Sequence, residues 1–330
     1  MEKPWVAHGE VGCKRQGVER RVWSEIEAAF GERVVRGELM SRHTTARVGG
    51  AADLFIEATS ADDLRDIVLL ARQQQVLYFI LGGGSNSLVS DAGIRGLVIL
   101  NKARQIKYQI PNPPYQRVRT ESGVILPTLA RECIERGLGG LEWAVGVPGT
   151  VGGAVVGNAG AHGSDIAHSL VFATVLDAEG TDKVWSVQEL EFGYRSSRLK
   201  SQIRHPASGI QRPVVLEAEF ELRQGTREEC EARAAEFTEK RKHTQPPGAN
   251  LGSMFKNPLG DYAGRLIEAA GLKGARVGNA EISPVHANFF VNLGGASATD
   301  IYSLICLARE QVRHKFNVTL ELEIELVGEW

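Results

Sequence analysis

The stretch GGGSNSLVSD at residues 82–91 decides the fold class of this 330-residue chain. It follows an apolar run at 76–81 that is typical of a buried strand. Successive glycine N–H groups after such a strand can bind a phosphate, and polar side chains at 85–87 add donors. The stretch is neither a P-loop nor a G-x-G-x-x-G fingerprint, since no Gly-Lys-Ser/Thr follows and Ser87 replaces the third glycine. A tight turn without a ligand is the alternative on these residues alone.

A second glycine-rich stretch, GVPGTVGGAVVGNAGAHG, lies at residues 146–163. Two such loops in one domain indicate a long ligand that carries a pyrophosphate, although neither loop specifies which one. The predicted cofactor-binding residues are Gly82, Gly83, Gly84, Ser85, Asn86, Ser87, Gly146, Pro148, Gly149, Thr150, Gly152, Gly153, Asn158, Ala159 and Gly160.

Composition excludes several other classes of protein. With 43% hydrophobic and 24% charged residues the chain is an ordinary globular protein and not a disordered one. Its formal net charge of −2 gives no electrostatic case for binding nucleic acid or an acidic membrane. No apolar run approaches the length of a membrane-spanning helix. The 4 cysteines are scattered without zinc-site spacing, so we expect a cytoplasmic protein without a bound metal.

Hydrophobic periodicity predicts the order of elements. Strands at 54–58 and 76–81 flank a helix that Ser60 caps, which is a β-α-β start. A hairpin follows at 171–187, and the alternating run 214–222 predicts a strand with Glu217, Glu219 and Glu221 on its exposed face.

The same patterns predict the organisation of the chain. Residues 1–20 are predicted to be a mobile polar segment, and residues 21–224 a cofactor-binding domain in two parts, split near residue 100. Thr226 and Glu229 form a capping box that opens a long helix, so we place a domain boundary near residue 225. A smaller domain then covers 225–330 and ends in a predicted strand at 317–327.

Further motifs point to a known family. TTARVGG at 44–50, both glycine loops, YRSS at 194–197, GSMFKNP at 252–258, GLKG at 271–274 and KFNVTLELE at 315–323 occur in family order. Together they resemble the UDP-N-acetylenolpyruvoylglucosamine reductase (MurB) family over about residues 38–328. The resemblance implies an α+β fold, with a two-part FAD-binding domain of the vanillyl-alcohol-oxidase (PCMH) type and a smaller α/β substrate-binding domain.

The resemblance also implies an activity. Family members bind FAD noncovalently, take hydride from NADPH, and reduce UDP-N-acetylglucosamine enolpyruvate to UDP-N-acetylmuramate for peptidoglycan. We therefore expect NADPH and UDP-N-acetylglucosamine enolpyruvate as partners. We expect no binding of nucleic acid, no membrane insertion and a monomer. Two alternatives stay open: an FAD-linked oxidase on the same fold, and a non-catalytic module that binds a UDP-sugar or a flavin.

Three residues match the catalytic positions of the family. Arg195 would bind the substrate carboxylate, for which a planar guanidinium is well suited. Ser253 would donate the proton to the carbon beside that carboxylate. Glu323 would lie next to both. The residues themselves also fit a surface arginine, a loop serine and a solvated strand glutamate.

Substrate-binding positions are carried over in the same way. Asn257 and Lys273 match positions that hold the UDP part in relatives, and Arg241 lies where the family has basic residues that contact substrate. The segment His286-Ala287-Asn288 resembles a segment near the active site in one branch of the family. A buried histidine with a structural role explains His286 equally well. The short chain between Arg195 and Ser253 resembles the branch that lacks a tyrosine-bearing substrate loop, often called type II.

The chain departs from the family pattern at two places near its end. Glu325 stands where the family usually has arginine, and Leu322 stands where proline is common. Glu325 therefore adds a negative charge whose effect on the site the sequence alone does not define.

Overall fold

The computed structural model of the chain describes residues 15–109, 114–204 and 210–330. In those ranges the helices are α1 (Arg15–Phe30), α2 (Ala61–Gln73), α3 (Leu126–Glu135), α4 (Val151–Gly157), α5 (Val187–Leu190), α6 (Arg198–Arg204), α7 (Arg227–Thr244), α8 (Ala263–Ala269) and α9 (Ala298–Phe316). The strands are β1 (Val35–Arg36), β2 (Ala52–Ala58), β3 (Tyr78–Leu81), β4 (Ser87–Val89), β5 (Ile94–Asn101), β6 (Ile106–Tyr108), β7 (Tyr115–Glu121), β8 (Leu138–Gly139), β9 (Gly160–Ala161), β10 (Ser164–Asp165), β11 (Leu170–Leu176), β12 (Asp182–Ser186), β13 (Val214–Gln224), β14 (Ala249–Ser253), β15 (Arg276–Val277), β16 (Ala280–Ile282), β17 (Phe289–Asn292) and β18 (Glu325–Val327).

The first part of the chain forms a sheet in the order β1-β2-β5-β3, with β2, β5 and β3 parallel. Helix α2 connects β2 to β3, and the hydroxyl of Ser60 accepts a hydrogen bond from the Asp63 backbone N–H at 3.1 Å. The apolar stripe of α2, including Leu64, Ile67 and Val68, is fully buried. The predicted β-α-β start is confirmed, and β3 leads directly into the first glycine loop.

The second part is an antiparallel sheet in the order β12-β11-β13-β7-β6, covered by α3 and α4. The prediction that Glu219 lies on the exposed face of β13 is wrong, because the residue is only 3% exposed. Its Oε1 lies 3.0 Å from Nη1 of Arg117 on β7, and its Oε2 accepts a hydrogen bond from Gln109. A carboxylate tolerates burial when it is paired and hydrogen-bonded in this way.

The last part contains a sheet in the order β14-β17-β16-β15 with α8 and α9 against it. Asp91, the final residue of the stretch GGGSNSLVSD, accepts hydrogen bonds from the backbone N–H groups of Ala298 and Thr299 at 2.8 and 2.9 Å. Asp91 thereby satisfies free N–H groups at the start of α9. This contact fixes the last part of the chain to the first glycine loop.

The C-terminal segment differs from the single strand predicted at 317–327. Only residues 325–327 form a strand, β18, which runs parallel to β4. Just before it, Leu322 bridges Phe255, and the Glu323 N–H donates to the Met254 carbonyl at 2.9 Å. The segment thus changes pairing partner near Ile324, and the alternating side chains of Leu320, Leu322 and Ile324 before this point are buried.

Two further expectations concern the predicted domains. Of the predicted mobile segment 1–20, residues 1–14 lie outside the described residues, whereas 15–20 begin α1. The boundary near residue 225 stays a prediction. Helix α7 has the predicted capping box, and its Phe237 packs against the core of the second part. In the described ranges, no helix has the length and apolar content that crossing a membrane requires.

Candidate active site

The two glycine loops meet face to face. A β-carbon added at Gly82 would lie 2.5 Å from the Oγ1 of Thr150, and one added at Gly83 would lie 3.0 Å from the Cα of Gly149. Gly84 adopts a φ of +61° against the carbonyl of His43, which a side chain would overlap. Glycine is therefore required where the loops approach each other.

The first loop also presents unpaired donors. The backbone N–H groups of Gly83, Gly84 and Ser85 donate no hydrogen bond to any acceptor among the described residues. Adjacent unpaired N–H groups beside a second glycine loop form a concavity suited to anionic oxygens. The arrangement fits the pyrophosphate of a dinucleotide cofactor such as FAD.

Asn158, predicted as a cofactor ligand, has its side chain occupied within the protein. Its amide nitrogen donates to Asp165 Oδ2 at 3.0 Å and to the Gly193 carbonyl at 3.1 Å. Its amide oxygen accepts from the Ala167 N–H at 3.2 Å. The side chain therefore links the second glycine loop to the turn that carries Arg195.

Arg195 lies in a tight turn, where Gly193 and Ser196 exchange backbone hydrogen bonds. Its φ is +52°, in the left-handed region that an arginine rarely adopts. Its Nε lies 2.6 Å from Oε1 of Glu323. The N–H direction does not satisfy hydrogen-bond geometry, so we describe the contact as an ion pair. Two residues far apart in sequence are thus in direct contact, as the resemblance implied.

Glu323 is mostly buried, with a side chain 17% exposed. Burial raises the pKa of its carboxyl, while the positive charges of Arg195, Lys200 and Lys256 act in the opposite direction. Burial dominates, so this carboxyl holds a proton more readily than a solvated glutamate does.

Ser253 ends strand β14, whose neighbouring residue Met254 pairs with Glu323. The serine is half-buried, and within the described part of the chain its hydroxyl has no hydrogen-bond partner. The side-chain amide of Asn86 in the first glycine loop reaches the Glu323 carbonyl at 3.4 Å. The strand of Ser253, the segment of Glu323 and the first glycine loop therefore converge.

Asn257, Lys273 and His286 lie around helix α8, and we call these three residues the α8 cluster. The Asn257 Oδ1 accepts from the Ala263 N–H at 3.1 Å, and the Lys273 Nζ lies 2.9 Å from Glu268 Oε1. The ring of His286 packs on Gly264, where a β-carbon would lie 2.8 Å from its Cε1.

His286 has the contacts of a structural histidine. Its Nδ1 accepts from the Asn288 N–H at 3.1 Å, so this nitrogen is unprotonated. Burial lowers its pKa, and the nearby charge of Lys273 lowers it further. We therefore expect a neutral His286 with a structural role beside helix α8.

Arg241 lies elsewhere. A β-carbon at Gly146 would be 2.5 Å from the Cδ of Arg241, so this side chain covers the second glycine loop. Burial lowers the pKa of its guanidinium. Arg241 therefore contacts the second glycine loop, whereas Asn257 and Lys273 contact helix α8.

The two departures near the C-terminus are accommodated. The Glu325 N–H donates to the Asn86 carbonyl at 2.7 Å. Burial lowers the pKa of Arg212, and the negative charge of Glu325 acts in the opposite direction. Leu322 is 4% exposed and pairs with Phe255.

Comparisons with known proteins match this geometry. Residues 243–327 match the family model described as UDP-N-acetylenolpyruvoylglucosamine reductase, C-terminal domain, and residues 52–183 match the FAD binding domain model. The UDP-N-acetylenolpyruvoylglucosamine reductase 2 of Symbiobacterium thermophilum is 42% identical over 297 residues, which cover 90% of this chain and 92% of that relative. The chain belongs to the UDP-N-acetylenolpyruvoylglucosamine reductase (MurB) family.

Other members of the MurB family are similarly close. The reductase of Chloroflexus aurantiacus is 43% identical over 88% of this chain and 96% of its own length. The crystal structure of MurB from Thermus caldophilus superposes with a TM-score of 0.73 at 37% identity, covering 90% of this chain and 99% of that one. The predicted fold, a two-part FAD-binding domain with a smaller substrate-binding domain, is confirmed, and so is FAD as the cofactor.

Closing the gap between the glycine loops gives a direct test of their role. Gly82→Ala should weaken FAD binding by roughly tenfold or more, because its methyl group must displace Thr150 and part the loops. FAD affinity of the deflavinated protein, measured by quenching of flavin fluorescence, checks this. Gly157→Ala is the matched control, since its methyl meets no atom within 4 Å apart from its chain neighbours and the backbone of its own helix. Equal FAD affinity in the two variants would contradict the role of the loop contact.

Proposed function

We propose that this chain catalyses the NADPH-dependent, FAD-mediated reduction of UDP-N-acetylglucosamine enolpyruvate to UDP-N-acetylmuramate, a step in peptidoglycan precursor synthesis. The observation that carries the proposal is the contact of Arg195 with Glu323 beside the strand of Ser253. FAD-binding proteins of other activities have no chemical need for these residues next to the glycine loops.

Bound FAD would relay hydride from NADPH to the terminal vinyl carbon of the substrate. Negative charge then develops at the carbon next to the carboxylate and on that carboxylate. A cation fixed beforehand stabilises such charge most effectively, because it needs no reorganisation during the reaction. Arg195 fits this role, since its turn and its contact with Glu323 hold the guanidinium in place.

Ser253 would supply the proton that completes the reduction. The double bond gains a hydride at its terminal carbon and a proton at the carbon beside the carboxylate, so a methyl group and a methine result. A serine hydroxyl is a weak acid, but carbanion character makes the acceptor strongly basic. The absence of a competing acceptor for this hydroxyl among the described residues leaves it available to the substrate.

The α8 cluster would hold the UDP part of the substrate. Lys273 would bind the diphosphate as a point charge in place of its exposed ion-pair partner Glu268. Asn257 contacts the start of helix α8. We extend the proposal to a monomeric, cytoplasmic enzyme. Arg241, which the sequence also assigned to substrate, is better placed to act beside the second glycine loop.

The experiment that tests this proposal follows the flavin spectrum without oxygen. We expect the purified protein to be yellow, to bleach with NADPH, and to recover its flavin band on addition of UDP-N-acetylglucosamine enolpyruvate. If the flavin band recovers with oxygen and not with this substrate, the protein is an oxidase and the proposal is wrong. A protein that takes up FAD but is not reduced by NADPH would replace it with a binding module.

A further inference from the structure

Lys200 on helix α6 contacts the backbone of Arg195. Its Nζ donates to the Arg195 carbonyl oxygen at 2.8 Å. This is a charge-assisted hydrogen bond, which is stronger than one between neutral groups. The catalytic scheme proposed above does not use Lys200, which the sequence presented as one of several basic residues after Arg195.

The position of Lys200 is itself fixed. Ser197, 1% exposed, donates its hydroxyl to the Val156 carbonyl at 2.6 Å and accepts from the Lys200 backbone N–H at 3.1 Å. The first turn of α6 is therefore anchored to α4, and the lysine reaches back from it to Arg195. A non-glycine residue in the left-handed region persists only when its surroundings hold it there.

The charge of Lys200 also acts on Glu323. The ionisable groups that face this carboxyl are Arg195 from the turn, Lys200 from α6 and Lys256 from the segment after β14. The Nζ of Lys256 lies 3.3 Å from the exposed Glu321, which shares its charge. Lys200 thus contributes a hydrogen bond to the turn and a positive charge that opposes the effect of burial on the pKa of Glu323.

We propose that Lys200 is a positioning residue, which holds the Arg195 turn in its left-handed conformation through its hydrogen bond to the Arg195 carbonyl. The role rests on the proposed function, because it assigns to Lys200 the alignment of Arg195 with the substrate carboxylate. Loss of Lys200 should therefore affect the half-reaction with substrate and spare the half-reaction with NADPH.

The test compares Lys200→Met, Lys200→Arg and Lys102→Met in the FAD-loaded enzyme, with UDP-N-acetylglucosamine enolpyruvate as the oxidant. Lys102 is the matched control, because its Nζ lies 2.6 Å from Glu57 on the parallel sheet of the first part. We expect Lys200→Met to slow flavin reoxidation by substrate roughly 10- to 100-fold while reduction by NADPH stays within about twofold. Lys200→Arg, which keeps charge and donor, should recover most of the rate.

The pH dependence of reoxidation gives a second readout. Lys200 lowers the pKa of Glu323 against the effect of burial, so its removal raises that pKa further. The acid-side inflection of the rate should therefore move to higher pH in Lys200→Met and stay unchanged in Lys102→Met.

The outcomes separate this inference from the proposed function. Wild-type enzyme that substrate does not reoxidise would overturn the proposed function, and the role of Lys200 with it. Wild-type reoxidation combined with an unaltered rate and inflection in Lys200→Met would overturn the role of Lys200 alone. Equal losses in both half-reactions, or failure of Lys200→Arg to recover the rate, would also overturn it.

Discussion

Ser253→Ala is expected to slow flavin reoxidation by the enolpyruvyl substrate by about 10²- to 10⁴-fold, the range that a positioned proton donor contributes. Reduction of the flavin by NADPH should change less than about twofold, because that step needs no proton from Ser253. The hydroxyl has no partner among the described residues, so its removal leaves no buried polar group unpaired. Anaerobic stopped-flow absorbance, with each half-reaction measured separately, is the appropriate experiment.

A matched serine variant controls for the loss of a hydroxyl elsewhere. In Ser303→Ala the missing group is one that hydrogen-bonds to the Thr299 carbonyl within α9, away from the Glu323 segment. Both half-reactions should keep wild-type rates in that variant. If Ser253→Ala slowed reduction and reoxidation by the same factor, Ser253 would have a structural role and the proton would come from another group.

Local features of the fold could be predicted because neighbouring residues determine them. The Ser60 cap, the capping box of Thr226 with Glu229 and the stripe of α2 all depend on side chains within one or two helical turns. The glycine loops were also predictable, because each contains its own backbone donors. Their face-to-face contact, in which Gly82 meets Thr150, is compatible with one long ligand shared by both loops, which stays a prediction.

Features that depend on distant partners could not be predicted in this way. Glu219 alternates with Glu217 and Glu221 in sequence, but Arg117, 102 positions earlier, covers it from the neighbouring strand. The change of pairing near Ile324 depends likewise on two partners, Phe255 and β4. Periodicity reports which side of a chain is buried and not what covers it.

The candidate site lies between these two cases. Only the family register selected Glu323 from three glutamates on one alternating segment, and the structure then placed it against Arg195. The same register grouped Arg241 with the α8 residues, although the side chain covers Gly146. Lys200 had a local signal in Ser197, which caps α6, but its contact with the Arg195 carbonyl requires the left-handed turn to be known.

Arg195→Lys should reduce the rate of reoxidation by substrate about 10²- to 10³-fold and raise the KM for that substrate, with little effect on reduction by NADPH. A lysine keeps the positive charge but loses the planar pair of donors that matches a carboxylate. Steady-state kinetics with varied substrate, together with the isolated half-reactions, measure both effects. A lysine variant with wild-type KM and reoxidation rate would show that Arg195 does not bind the carboxylate.

Arg195→Ala extends this test to stability and pH. It leaves Glu323 buried without its closest cation, and losing one partner of such a pair costs about 3 kcal/mol of the free energy of unfolding. Burial already raises the pKa of Glu323, and the substitution raises it further because Arg195 opposes that effect. The penalty applies to the ionised carboxyl, so it is absent below the unfolded pKa and complete above the folded one. The Tm deficit of Arg195→Ala should therefore be largest near neutral pH and shrink toward pH 4.5. The Tm of Arg195→Lys should stay near that of the wild type. A deficit that does not depend on pH would mean that Glu323 is not ionised beside Arg195.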